Sequence, residues 1–177
     1  MSKYNIAIPL GDPAGIGAEI TLKALNSIEL PNDIIPVLIG SKKEIILCYE
    51  NLSFNSNIQL NLSKIEIIDI PFNENIILGK PNSKTGNESF KYLTKATDLI
   101  LKKKVRALVT APIAKNFWHQ AGHFYSGQTE RLAELDGINN PSMLFTAISP
   151  ISGWRLNTLL ATTHIPLKEV PEKLNPK

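Results

Sequence analysis

His164 stands at the end of an apolar, strand-like run, Leu159-Leu160-Ala161-Thr162-Thr163, and Pro166 two residues later stops the strand. Side chains at the C-terminal ends of strands in α/β sheets face the crevice where ligands bind. Histidine there can ligate a metal or move a proton near neutral pH. A metal site needs about three protein ligands, and no companions of His164 stand out. Two other segments share this look of a strand end or helix start. Gly11-Asp12-Pro13-Ala14-Gly15-Ile16-Gly17 lies between a strand and a helix. Its glycines permit close backbone approach, and free N–H groups at a helix start favour an anion. Its spacing is neither G-x-G-x-x-G nor a P-loop, and Asp12 would repel a phosphate, so a tight structural turn is an equal reading. Ser126-Gly127-Gln128-Thr129-Glu130 offers an amide and a hydroxyl at another loop-to-helix transition. These can hold a phosphate or carboxylate, or simply cap the helix. Lys115 follows Thr110-Ala111-Pro112-Ile113-Ala114 and can reach an anion in a crevice or lie in solvent. His119 and His123 are four apart, but Gly122 intervenes and no carboxylate completes a set, so they read as surface or loop histidines.

The elements that must position these groups alternate in type. Ile6–Leu10 reads as a buried strand and Ala18–Leu25 as a helix with Ile16, Ile20 and Ala24 on one face. Ile34–Ile39 is a second strand, expected at an edge or irregular because Pro36 cannot donate to a ladder. Lys42–Tyr49 reads as a helix, Asn51–Ser63 as surface loop, and Ile65–Ile70 as a strand. Pro71–Thr85 connects to the clearest helix, Asn87–Lys103, with Phe90, Leu93, Thr97 and Ile100 on one face. Val105–Thr110 is a strand, Ile113–Gln120 a helical turn, Gly122–Gly127 a loop and Thr129–Leu135 a helix. Met143–Ile148 and Leu156–Thr163 flank a turn at Pro150–Gly153, an antiparallel pair. The pattern predicts an α/β fold with a mostly parallel sheet and flanking helices.

The 177 residues, 43% hydrophobic and 20% charged, suffice for one real core. A net charge of +3 is too small and scattered to argue for nucleic acid. Lys102-Lys103-Lys104 suits a solvated helix end. Cys48 is the single cysteine, which excludes an intrachain disulfide and a cysteine-based zinc site. No apolar run reaches the roughly 18–20 residues of a membrane span, and the N-terminus lacks signal-peptide organisation, so a cytoplasmic protein without membrane contact is expected.

Taken together and in order, G-D-P-A-G-I-G, T-A-P-I-A-K, G-Q-T-E and L-A-T-T-H-I-P-L resemble the 4-hydroxythreonine-4-phosphate dehydrogenase family of pyridoxal phosphate biosynthesis, from about Tyr4 to Leu167. Trp154–Thr158 also resembles cyanobacterial members. The resemblance implies a fold like isocitrate and isopropylmalate dehydrogenases, with two α/β domains, in a homodimer. It implies oxidation of the C3 hydroxyl of 4-phosphohydroxy-L-threonine with NAD or NADP. The 3-oxo acid then decarboxylates to 3-amino-2-oxopropyl phosphate, assisted by a divalent metal (Zn, Mg or Co) acting as a Lewis acid. By the same resemblance His164 is a metal ligand, Thr129 and Gln128 bind substrate, and Lys115 contacts it. Gln128 stands where many members have histidine. The chain is expected to be an N-terminal portion, residues 1–177 with a sub-boundary near 110–127 and an incomplete second domain. It would be inactive alone if so truncated. A non-catalytic binding or dimerisation fragment is the alternative. A phosphate-ester enzyme of other chemistry lacks support, since no nucleophile elbow or P-loop is present.

Overall fold

Strands covered on both faces read as near-continuous apolar runs, and Tyr4–Pro9 (β1) and Ile34–Gly40 (β2) are of that kind. The computed structural model of the chain describes residues 3–56, 58–139, 141–162 and 165–174. It divides into two compact units, Met1–Asp136 and Gly137–Lys177. In the first, β1 and β2 join Glu66–Asp69 (β3) and Ala107–Leu108 (β4) in a parallel sheet of order β3-β2-β1-β4. Gly17–Ser27 (α1), Lys42–Ser56 (α2) and Ser83–Leu101 (α3) form the crossovers.

The period-two alternation of strands sorts the core into two layers. Ile8 and Leu38 pack with Leu22, Ile45 and Leu52 on the α1–α2 side. Ala7 and Ile39 pack with Tyr92, Ala96 and Leu99 of α3 on the other. The chain therefore winds from β1 to β3 in one direction, then returns through α3 to place β4 on the opposite side of β1. The reversal makes β1/β4 a topological switch point, where α/β sheets open a crevice beyond their strand ends.

Elements of the first unit depart from expectation. Pro36 does not put β2 at an edge: β2 lies between β1 and β3. Pairing with β3 begins only at Val37, so on that side the missing N–H interrupts no ladder. The Asn- and Ser-rich start of the expected loop is helical, because Ile45, Cys48 and Leu52 continue one packed face and carry α2 to Ser56. Helix α3 starts ahead of Asn87, at Ser83, because Asn82 and Thr85 form a reciprocal capping box.

Lys115–Gln120 (α4) and Gln128–Leu135 (α5) follow β4 and pack back on α3, which keeps them in the first unit. The compact units part after Asp136.

The second unit holds the expected antiparallel pair, Leu144–Ile148 (β5) and Arg155–Leu159 (β6), and a short helix, Val170–Lys173 (α6). Every residue of β5 and β6 is exposed, Phe145 and Leu159 among them. Among the described residues β6 pairs with β5 and is not a strand of the parallel sheet, so the crevice rule does not extend to its end. It stops at Leu159, short of the expected Thr163, and Thr163 and His164 lie outside the described residues. No described helix is long and apolar enough to cross a membrane.

Candidate functional site

The glycine turn after β1 is closed by its own aspartate. Asp12 Oδ1 accepts from the Ala14 N–H at 2.9 Å, and the Gly15 N–H donates to the Asp12 carbonyl at 2.9 Å. Asp12 Oδ2 accepts from the Thr85 hydroxyl at 3.2 Å, tying the turn to the start of α3. The Asp12 N–H donates to Pro112 O at 3.2 Å, tying it to the segment after β4. Burial raises the Asp12 carboxyl above the usual range, against the lowering effect of the Ala14 and Thr85 bonds. One loop donor, the Ala14 N–H, is thus taken up by the buried carboxylate, and a second, the Gly15 N–H, by the Asp12 backbone carbonyl. The buried Asp12 carboxylate at its centre makes the turn a poor match to the pyrophosphate of a dinucleotide. A cavity of about 430 Å³ behind it is lined by Leu10, Ile45 and Leu78 together with the carboxylates of Asp12, Glu19 and Glu44, a poor match to the same anion.

Two of the sequence-predicted binding residues, Lys115 and Gln128, are brought to the switch point. Gln128 opens α5, and its Nε2 donates to Ala111 O, just beyond β4, at 3.1 Å. Gly127 is buried beneath the Lys115 side chain. A Cβ built on it would lie 3.7 Å from Lys115 Nζ and 3.3 Å from Glu130 Oε2. Lys115 is exposed, while Gln128, Thr129 and Glu130 are half-buried in the first turn of α5. A cation and a carboxylate, Lys115 Nζ and Glu130 Oε2, therefore both face the glycine that precedes α5.

An aromatic cluster fixes α4 and α5 to α3. His123 stacks on Phe90, Trp118 meets Phe90 edge-on, and the Arg131 guanidinium lies 4.7 Å from the Phe90 centroid. Trp118 is fully buried, with Nε1 donating to Ser89 Oγ at 2.6 Å. His123 Nε2 bonds Asn87 Oδ1 at 2.8 Å, and His119 Nε2 bonds Tyr125 O at 2.9 Å. Both histidines serve packing. Sequence reasoning missed Arg131 and Trp118, because nothing local says that a lone Arg stacks on rings two elements away.

Among the described residues no group of three or more His, Cys, Asp or Glu side chains is placed to hold a metal. His164, the expected ligand, lies outside them. The described residues do not assemble a metal centre.

The model of the family "Pyridoxal phosphate biosynthetic protein PdxA" matches residues 26–177. The chain belongs to this family. The PdxA match spans Lys115, Gln128, Thr129 and His164, while the glycine turn precedes it. A 4-hydroxythreonine-4-phosphate dehydrogenase of Synechococcus sp. (strain RCC307) is 53% identical over 174 residues, covering 98% of this chain and 52% of the relative. One from Synechocystis sp. is 43% identical over 182 residues, covering 100% and 52%. The chain spans about half the length of these curated relatives. The crystal structure of a 4-hydroxythreonine-4-phosphate dehydrogenase from Burkholderia phymatum superposes with a TM-score of 0.81 at 26% identity, covering 99% of this chain and 55% of that one. The Klebsiella pneumoniae structure gives 0.75 at 29%, covering 98% and 55%.

Proposed function

We propose that Lys115, Gln128 and Thr129 bind 4-phosphohydroxy-L-threonine, a small phosphorylated amino acid, as part of a 4-hydroxythreonine-4-phosphate dehydrogenase. The observation that carries the reading is the seating of Lys115 over the first turn of α5 at the β1/β4 switch point. The Lys115 ammonium and the Thr129 hydroxyl would hold an anionic group of the substrate, and Gln128 would fix its orientation. The overall reaction in this reading is oxidation of the C3 hydroxyl by NAD or NADP, followed by loss of carbon dioxide to give 3-amino-2-oxopropyl phosphate. The divalent metal (Zn, Mg or Co), with His164 as a ligand, belongs to the same reading. So do the isocitrate dehydrogenase-like two-domain fold, the homodimer and the cytoplasmic location.

The test is calorimetric binding of 4-phosphohydroxy-L-threonine to the purified chain, with Lys115→Met and Thr129→Val as variants. Loss of a charge-assisted bond at Lys115 should weaken binding about 10- to 100-fold. Unchanged affinity in both variants would sink the assignment. Absorbance of NADH, with added metal and with or without a supplied C-terminal half, reports whether turnover accompanies binding.

One observation favours a second reading, a non-catalytic binding or dimerisation module of the same fold. The β5–β6 hairpin and its turn expose Leu144, Phe145, Ile148, Ile151, Trp154 and Leu159, an apolar surface of the kind association buries. Self-association by light scattering, with no NADH formed under any condition, supports it.

A further inference from the structure

The core layer between α1 and α2 opens into a cavity of about 430 Å³ beyond the ends of β1 and β2. Leu10, Ile45 and Leu52 of that layer line it, and so does Leu78 of the connector that leads to α3. The connector is held there by the Gly79 N–H, which donates to Ala14 O at 2.8 Å. Apolar cavities of roughly 300–1,000 Å³ with a few placed polar groups are the usual form of small-molecule sites.

Two of the lining side chains are hydroxyls with uncommitted hydrogens. Tyr92 is 2% exposed; its oxygen accepts from the Ser41 N–H at 3.2 Å, and no described residue accepts from its O–H. Ser41 is 3% exposed, and its hydroxyl, which accepts from the Glu44 N–H at 3.5 Å, also donates to no described residue. Burial, with the Glu88 charge near it, pushes the Tyr92 phenol well above its ordinary range, so the proton stays on the oxygen. A buried donor without an acceptor is costly, and an occupant that accepts removes the cost. The charged lining residues are Asp12, Glu19 and Glu44, all carboxylates, and none is Lys, Arg or His. An anion is therefore repelled. A cation is not called for either: Asp12 accepts from Ala14 and Thr85, Glu19 pairs with Lys23 at 2.5 Å, and Glu44 keeps contact with water.

We propose that this cavity binds an uncharged, compact apolar molecule through a carbonyl or ring-nitrogen acceptor on the Tyr92 hydroxyl. Its walls bury the apolar body, Tyr92 and Ser41 orient the acceptor, and the carboxylates turn anions away. Lys115, Gln128 and Thr129 do not line it, and a phosphorylated ligand is among the anions it excludes.

Cys48, the single cysteine, also lines the cavity, so its alkylation by iodoacetamide reports what occupies it. Burial pushes the Cys48 thiol up, and labelling of the folded full chain is therefore followed at mildly alkaline pH. Three probes of similar size are compared: acetophenone with an acceptor, ethylbenzene without one, and benzoate with a charge. Acetophenone is expected to slow alkylation and, by calorimetry, to bind about fivefold tighter than ethylbenzene, the equivalent of one hydrogen bond. Benzoate should do neither. In Tyr92→Phe the preference for acetophenone should fall toward unity. Ala18→Met puts a flexible side chain into the cavity from α1 and should abolish protection by acetophenone. It keeps the test open if Tyr92→Phe folds poorly, and circular dichroism checks both variants. No protection of Cys48 by acetophenone, or binding without protection, overturns the cavity as the site. Equal affinity for acetophenone and ethylbenzene, or a preference that survives in folded Tyr92→Phe, overturns the role of the Tyr92 hydroxyl and the ligand class with it. Protection by benzoate overturns the proposal as well, because the carboxylates then exclude nothing.

Discussion

The His123 imidazole lies flat on the Phe90 ring, with centroids 3.6 Å apart and planes 3° apart. Burial in this stack lowers the His123 pKa below its ordinary value, and the Arg131 cation beside it adds to the effect. Glu134 and Tyr125 face Arg131 and pair with it. A base whose folded pKa is depressed binds its proton more readily in the unfolded chain. Stability from this group is therefore present above the unfolded pKa of about 6.5 and is lost as pH falls through the lower folded value. Urea midpoints should drop between pH 8 and pH 5. In His123→Phe, which keeps the stack without the titration, the drop should shrink. Loss of the Asn87 bond should cost that variant about 1 kcal/mol at pH 8. An equal pH dependence in both proteins would exclude His123 as its source.

Arg131 is the clamp that seats α5. Its guanidinium lies over Phe90 and 5.5 Å from the Tyr125 centroid, and one nitrogen donates to the Tyr125 hydroxyl at 3.1 Å. Arg131→Met should lose about 1–2 kcal/mol of unfolding free energy. It should also weaken binding of 4-phosphohydroxy-L-threonine in the proposed reading, since α5 carries Gln128 and Thr129. Arg131→Lys should recover little of either, because an ammonium lacks the planar fork that stacks and donates together. Full binding affinity in a destabilised Arg131→Met would show that α5 needs no such clamp.

Much of this was legible in the sequence, for identifiable reasons. Apolar runs and glycine or proline punctuation marked β1, β2 and α1, because burial and chain reversal act locally. Lys115, Gln128 and Thr129 stand out in the sequence as candidates because each follows a strand end or helix start. That they converge was not legible, since it depends on β4 returning beside β1, a pairing across about a hundred residues. The interior place of β2 was hidden for a similar reason: Pro36 is tolerated only because of where β3 happens to begin. The bond from Gln128 to Ala111, which decides the polarity of that side chain, spans two elements and leaves no local trace.

Asp12 offers a prediction against the usual expectation for a buried carboxylate. Its raised pKa means that burial disfavours the charged form in the folded chain more than its two hydrogen bonds favour it. An acid whose folded pKa is raised contributes stability below its unfolded pKa, and that contribution is lost as pH rises through the folded value. At neutral pH the carboxylate is thus a net burden. Asp12→Asn keeps an acceptor for Ala14 and can donate to the Thr85 oxygen. It should be neutral or more stable than wild type at pH 7 and should lose that advantage near pH 4. Urea unfolding at the two pH values decides it. A large loss at pH 7 would mean that the charge itself organises the turn.

Gly11 and Gly122 separate two reasons for a glycine. Both have positive φ, 69° and 90°, a region where a Cβ is strained by its own backbone. At Gly122 nothing lies within 4 Å of where a Cβ would stand. At Gly11 the same atom would fall 2.0 Å from Pro112 O, the carbonyl that receives the Asp12 N–H. Gly122→Ala should therefore show the conformational term alone, about 1 kcal/mol. Gly11→Ala must also push the segment after β4 away from β1, and its cost should exceed that of Gly122→Ala by at least about 2 kcal/mol in urea unfolding. Because the displaced segment leads from Ala111, the anchor of Gln128, to Lys115, binding of 4-phosphohydroxy-L-threonine in the proposed reading should fall in Gly11→Ala and hold in Gly122→Ala. Similar losses in the two variants would show that the contact between Gly11 and Pro112 relaxes freely and does not set the geometry of the switch point.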